Sequence, residues 1–190
     1  MNKNMKNKGL TFLETIASVA IIFLVSSFFM YKIIKYNEKM DLELGRYTIQ
    51  SFFIKYINKS LYEKRRYFIE IGTAEKYITI KDFEEKEIEK IYLPQKLKYE
   101  IPYENKRNIK FKLETTPTGN LSKAFTMYIF GYKNQVENRL AFYIFQKEKV
   151  LKINTYLNKN VKDINYNNIL DYHYSKEGED RIGWIEEEGF

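Results

Sequence analysis

The chain has 190 residues with 32 Lys+Arg against 25 Asp+Glu, a formal charge of +7, and its length fits one globular domain with an appendage. Lys3, Lys6 and Lys8 precede Gly9, so a chain starting at Leu10 would keep +4 (7 less 3), a charge on the scale of solubility and too weak for a nucleic-acid footprint. Cysteine is absent, which excludes a disulfide framework, thiolate chemistry and a Cys-ligated metal.

The N-terminus opens with a basic leader, MNKNMKNK, followed by Gly9 and an apolar run from Leu10 to Ile34 whose ionisable residues are Glu14 and Lys32. About 25 residues of helix span roughly 37 Å, more than a hydrocarbon core of about 30 Å. The leader lysines favour the cytoplasm, which predicts that the rest of the chain faces out. A secretory signal fits poorly, because no small-x-small cleavage site follows the run. A plain anchor accounts for the length but leaves Gly9 and Glu14 unexplained, since a carboxylate in hydrocarbon costs about 2.5–3.5 kcal/mol at a helix centre.

Lys8-Gly9-Leu10-Thr11-Phe12-Leu13-Glu14, running straight into the apolar helix, resembles the prepilin-type cleavage and methylation motif of type IV pilins, type II secretion pseudopilins and competence pilins. The resemblance implies that a prepilin peptidase cuts after Gly9 on the cytoplasmic side and that the new amine at Leu10 is methylated. Glu14 then becomes the fifth residue of the mature chain. Leucine stands where the family more often has phenylalanine or methionine, and Leu10–Ile34 lacks the proline of many pilins. The implied partners are other pilin or pseudopilin subunits and an inner-membrane assembly platform. In such an assembly a buried terminal amine needs a counter-charge, and the glutamate of a neighbouring subunit supplies one while fixing axial register. The plainer alternative is that Glu14 only favours the positive end of its helix.

Beyond the run, residues 35–62 continue the helix. Met40, Leu44, Tyr47, Ile54, Ile57 and Leu61, with Ser51 in one gap and Phe53 beside them, recur at helical spacing and predict a stripe on a core. A membrane-surface helix competes less well because the intervening charges are mixed in sign. Gly45 weakens the helix by about 1 kcal/mol relative to Ala and suggests a bend.

After Lys64 the period becomes that of strands. RYFIEIGTAEKYITIK reads as a hairpin turning at Gly72–Glu75, and EKIYLPQKLKYEI as two short strands around Pro94. Ile109, Phe111 and Leu113 alternate, a turn follows at Pro117–Asn120, and Phe125, Met127 and Ile129 resume the pattern. Leu140, Phe142 and Ile144 lead to a turn near Gln146–Glu148, then Val150 and Ile153. The expected fold is α+β and pilin-like: a long N-terminal helix whose second half packs on an antiparallel sheet with one polar face. The tail from Asn154 is polar and yields no assignment. The resemblance thus divides the chain into leader 1–9, assembly helix 10–34, amphipathic continuation 35–62 and β-rich head 63–190. Within the head, Ile109-x-Phe111, Pro117-x-Gly119 and a last hairpin through Arg139 and Val150 are similar to FimT/GspH-like minor pilins. The usual glycine of that hairpin is missing, with Lys149 near its place.

No enzyme is expected, and no cofactor or metal. His173 beside Asp171 reads as a lone surface histidine without triad partners. Gly72, Gly119 and Gly131 read as turns or strand ends. Glu84-Glu85-Lys86-Glu87 and Glu186–Glu188 lack the spacing of a calcium cage. The expected role is a structural subunit of a pilus, a secretion pseudopilus or a competence pilus, anchored in the inner membrane with its head outside. The alternative is a tip module capturing DNA or a surface ligand. For DNA the candidates are Lys55, Lys59, Lys64, Arg65 and Arg66, interleaved with Tyr56, Tyr62, Tyr67 and Phe68.

Overall fold

The computed structural model describes residues 3–144 and 151–187, with side chains from Thr11 onward; the predicted turn at Gln146–Glu148, Val150 and Glu188 lie outside them. One helix, α1, covers Lys3–Glu63, and the chain forms two compact units, Met1–Met40 and Asp41–Phe190.

In the first unit every described side chain but that of Glu38 is exposed. Phe12, Leu13, Ile22, Phe23, Leu24 and Met30 each show more than half their surface. Two hydroxyls in this run are satisfied within the helix: Thr15 Oγ1 donates to the Thr11 carbonyl (2.8 Å) and Ser27 Oγ to that of Phe23 (2.8 Å). A helix apolar on all sides and uncovered has the character of a membrane span or a bundle interior, and this one is long and apolar enough to cross a membrane.

The second unit is α+β. Its strands are β1 (Phe68–Gly72), β2 (Tyr77–Lys81), β3 (Glu87–Tyr92), β4 (Lys98–Glu100), β5 (Pro102–Tyr103), β6 (Lys106–Arg107), β7 (Lys110–Thr116), β8 (Asn120–Leu121), β9 (Phe125–Phe130), β10 (Val136–Tyr143), β11 (Lys152–Asn158) and β12 (Trp184–Glu187). They make two antiparallel sheets, not the single one expected. One has the order β3-β2-β1-β7-β8 and the other β12-β11-β10-β9-β4, with β5–β6 as a separate ribbon. The registers Ile69↔Ile80, Ile71↔Ile78, Ile69↔Leu113 and Ile71↔Phe111 line up the inward face of the first sheet. Phe125, Met127, Ile129, Leu140 and Phe142 do the same for the second, and both rows join α1 in one core.

The helix face in that core differs from the stripe expected. Ile49, Phe52, Phe53, Tyr56 and Ile57 are buried, whereas Met40, Leu44, Tyr47 and Ile54 are 44–58% exposed. At about 100° per residue, Leu44, Tyr47 and Ile54 lie on the side opposite Ile49 and Phe53. The helix is therefore apolar on two sides, and the buried one carries the larger aromatic surface. It also carries Arg46, 5% exposed, whose guanidinium pairs with Glu187 of β12 at 2.8 Å.

Gly45 is a point of close approach, and helical structure continues through it. A Cβ there would stand 3.0 Å from the Tyr99 hydroxyl and 3.5 Å from Leu97, so the missing side chain lets α1 settle on β4.

The tail is structured through its described residues, which end at Glu187. Two short helices, α2 (Ile169–His173) and α3 (Lys176–Asp180), lead to β12. Ile169 and Tyr172 bury against Tyr128, Phe130 and Val136, on the face of the second sheet turned away from α1. Gly183, at φ +82°, closes this wrap; a Cβ would lie 2.8 Å from the Asn160 backbone, and its carbonyl accepts from the amides of Lys159 and Asn160 at 3.0 Å each. Half of the sheet face expected to be polar is thus a second, smaller core.

Candidate assembly surface and the other predicted site residues

Gly9 and Leu10 fall within α1, ahead of the described side chains. Glu14 is exposed on the same apolar helix. From Thr11 to Tyr31 it is the one charged residue, so a carboxylate stands near the start of a long uncovered apolar surface. In the second unit a narrower apolar strip, Leu44, Tyr47 and Ile54 with Ser51 between, stays open to solvent. A surface of this composition is matched by other apolar helices or by lipid.

The five cations proposed to contact DNA have mostly found partners within the head. Lys55 pairs with Glu89 at 2.6 Å, Lys59 with Glu63 at 3.9 Å and Arg66 with Glu114 at 3.6 Å. Lys64 and Arg65 lie exposed where the helix turns into β1, a turn held by Ser60 Oγ, which donates to the carbonyls of Arg65 and Thr116. Of the four aromatics, Tyr56 and Tyr67 are 2% and 4% exposed. Tyr56 donates to Glu89 at 2.5 Å and Tyr67 to Glu63. Burial and that acceptor push the Tyr67 hydroxyl up to about 12. Tyr62 is exposed and Phe68 half-buried, so the segment offers no run of free rings on which bases could stack.

His173 is not the surface histidine expected. It is half-buried, its Nδ1 lies 2.9 Å from the Tyr128 hydroxyl, and Tyr174 stands edge-on to its ring at 4.7 Å. Burial, with Arg139 adding to it, pushes the imidazole down to about 4. Between about pH 6.5 and 4 the unfolded chain therefore takes up a proton that the folded chain refuses. The stability tied to the neutral ring is complete above about 6.5 and falls as pH drops toward 4, by at most roughly 2–3 kcal/mol for this partly buried group. His173→Gln should flatten that part of the stability–pH curve, as read from urea midpoints at pH 7 and pH 4.5.

The first acidic run sits in a turn, and two members of the second are paired. Asp82 Oδ1 accepts the amides of Glu84 (3.0 Å) and Lys86 (2.9 Å), closing a turn. Glu186 accepts from Asn154 at 2.6 Å, and Glu187 holds Arg46. Among the described residues no group of three His, Asp or Glu side chains is placed to hold a metal.

Three buried charges went unseen in the sequence. Besides Arg46, Arg139 is 7% exposed, donates to the Gly178 carbonyl at 2.8 Å and lies against the rings of Tyr128 and Tyr156. Glu100 is 2% exposed. Burial raises its carboxyl, against the pull of Arg107 and a hydrogen bond with Tyr166. The partners of Arg46 and Arg139, Glu187 and the Gly178 carbonyl, come from the tail, too distant in sequence for any local pattern to mark them, whereas Glu100 draws on nearby Arg107 of the β5–β6 ribbon and on Tyr166 of the tail.

No family model matches the chain, and no curated protein matches it. Among solved structures it is similar to the minor pseudopilin EpsH from the type 2 secretion system of Vibrio cholerae. The TM-score is 0.42 at 11% identity, over 58% of this chain and 95% of that one.

Proposed function

We propose that the chain is a minor pilin or pseudopilin: a subunit inserted in the inner membrane, cut after Gly9 by a prepilin peptidase, methylated at Leu10 and drawn by an assembly platform into a type IV pilus, a type II secretion pseudopilus or a competence pilus. The observation that carries this reading is Glu14, fifth residue after Gly9, on a stretch of helix, residues 11–34, that is largely apolar and exposed on every side. A lone lipid-facing span has no use for that carboxylate and bears its insertion cost. A helix bundled with copies that each bring a terminal amine has a use for it at that position. The leader lysines keep residues 1–9 in the cytoplasm and the head on the far side. The open strip of Leu44, Tyr47 and Ile54 is a second candidate contact surface, within the unit that carries the head.

The strip can be tested directly, because the chain has no cysteine. Leu44→Cys, introduced alone and treated with a short bis-maleimide in cells that carry the assembly machinery and a cysteine-bearing partner subunit, should give a cross-linked pair. Lys133→Cys, exposed in the head, should give little. Equal yields at both positions would mean that this side of the helix faces nothing in particular.

A further inference from the structure

Among the described residues, the tail covers one half of the outward face of the second sheet and does not reach the other half. Across β9 and β10 the register Arg139↔Tyr128 lies beneath the tail, and the next outward pair, Ala141↔Thr126, lies beyond it. Over that other half is an open groove of about 320 Å³, bounded by the β5–β6 turn on one side and the end of α2 on the other. Its floor is made of small residues, Ala124, Thr126 and Ala141, and its walls are the rings of Tyr103, Tyr143 and Tyr174.

Each wall is fixed from behind. The Tyr143 hydroxyl accepts from Arg181 Nη2 at 2.9 Å. The Tyr174 hydroxyl accepts the Asn105 amide at 3.0 Å. Tyr103 stands edge-on to Phe111 at 5.2 Å. Side chains already held in place lose little freedom when a ligand arrives, which favours binding by weak contacts.

The polar lining narrows the ligand. Glu104 supplies a carboxylate, Thr126 a hydroxyl and Tyr174 a phenol, and His173 a neutral imidazole anchored at Nδ1 by Tyr128. Acceptors and donors are both present, and among the described residues no lysine or arginine lines the groove. An anionic polymer would meet the Glu104 carboxylate there. A purely apolar ligand would strand four polar groups, and a proline-rich segment brings carbonyl acceptors with few donors to meet Glu104. A sugar has what remains: flat apolar C–H faces for the rings, and hydroxyls that donate and accept at once. Glu104 and Asn105 also sit at φ 53° and 57°, a tight-turn conformation more comfortable for Asn or Gly than for glutamate.

We propose that this groove binds a neutral glycan, with Tyr103, Tyr143 and Tyr174 as stacking walls and Glu104 and His173 as hydroxyl partners. The proposal belongs to the head and is independent of the role of Glu14.

The test is isothermal calorimetry on the full-length protein in a zwitterionic, sugar-free detergent. The probes are cellohexaose, maltohexaose, xylohexaose, mannohexaose and chitohexaose, with polygalacturonate and decaproline as competitors of other chemistry. At least one neutral hexasaccharide should bind with Kd below about 1 mM. Tyr174→Ala should weaken it by at least about fivefold. So should Ala124→Tyr, which fills the floor from an exposed position and leaves the core alone. Tyr62→Ala, 85% exposed and outside the groove, should leave it unchanged, and thermal midpoints should show that all three variants are folded. The proposal is overturned if no neutral hexasaccharide reaches that affinity, if the folded groove variants bind within that factor of the parent, or if polygalacturonate or decaproline binds more tightly.

Discussion

Glu14→Val should remain in the membrane and be cut after Gly9, yet fall by at least about tenfold in sheared filaments or cross-linked complexes. Removing a carboxylate from hydrocarbon lowers the insertion cost, so the variant should insert at least as well as the parent. Cleavage depends on the glycine at the cut, which is unchanged. The loss comes at assembly: a terminal amine left without its counter-charge inside an apolar bundle is destabilised by several kcal/mol, and about 1.4 kcal/mol already makes a factor of ten. Glu14→Gln should fall between the two, since it keeps a hydrogen-bond acceptor and loses the charge. The informative ratio is mature protein in filaments over mature protein in membranes. A Glu14→Val ratio equal to that of the parent would reduce Glu14 to a bystander near a helix end.

Phe53→Ala should lower stability by about 3–5 kcal/mol, the range for emptying a buried phenylalanine site. Phe53 is 0% exposed, and its ring lies 4.7 Å from that of Phe142 and 5.9 Å from that of Phe125. Phe125 and Phe142 are stacked face to face at 4.2 Å, so the cavity would open in the centre of an aromatic cluster with little freedom to collapse. One residue along, Ile54 is 51% exposed, and Ile54→Ala should stay within about 0.5 kcal/mol. In a melt followed by near-UV circular dichroism, Phe53→Ala should lower the midpoint by about 10 °C or more, and Ile54→Ala should hardly move it. Equal shifts would mean that the helix presents a different face to the sheets.

That pair also separates what the sequence discloses from what it hides. The apolar run, the end of the helix near Glu63 and the β1–β2 and β7–β9 segments follow from periodicity and turn residues, because those signals are local. The facing of the helix does not. Residues 40–61 satisfy helical spacing on two opposite sides, and Arg46 on the buried side is paired by Glu187, more than a hundred residues later. The second sheet and the ordered tail were hidden for a similar reason. Tyr128 and Phe130 fall in the outward half of an alternating pattern until Ile169 and Tyr172 cover them, and Val136, in step with Leu140 and Phe142, joins them only because the strand is irregular between Val136 and Asn138. His173 could be seen as a residue but not as a buried one, since its partner Tyr128 is 45 positions away. The candidate assembly residues Gly9, Leu10 and Glu14 rest on one short motif, Lys8 to Glu14, and on no fold-level feature.

The measurement closest to the central claim is the intact mass of the protein extracted from membranes that contain a prepilin peptidase. Cleavage after Gly9 takes 9 residues from 190 and leaves 181, beginning at Leu10 with one added methyl group. A mass matching that species supports processing of the pilin type. A chain that keeps its leader in the presence of an active peptidase, or that is cut elsewhere in the apolar run, contradicts it.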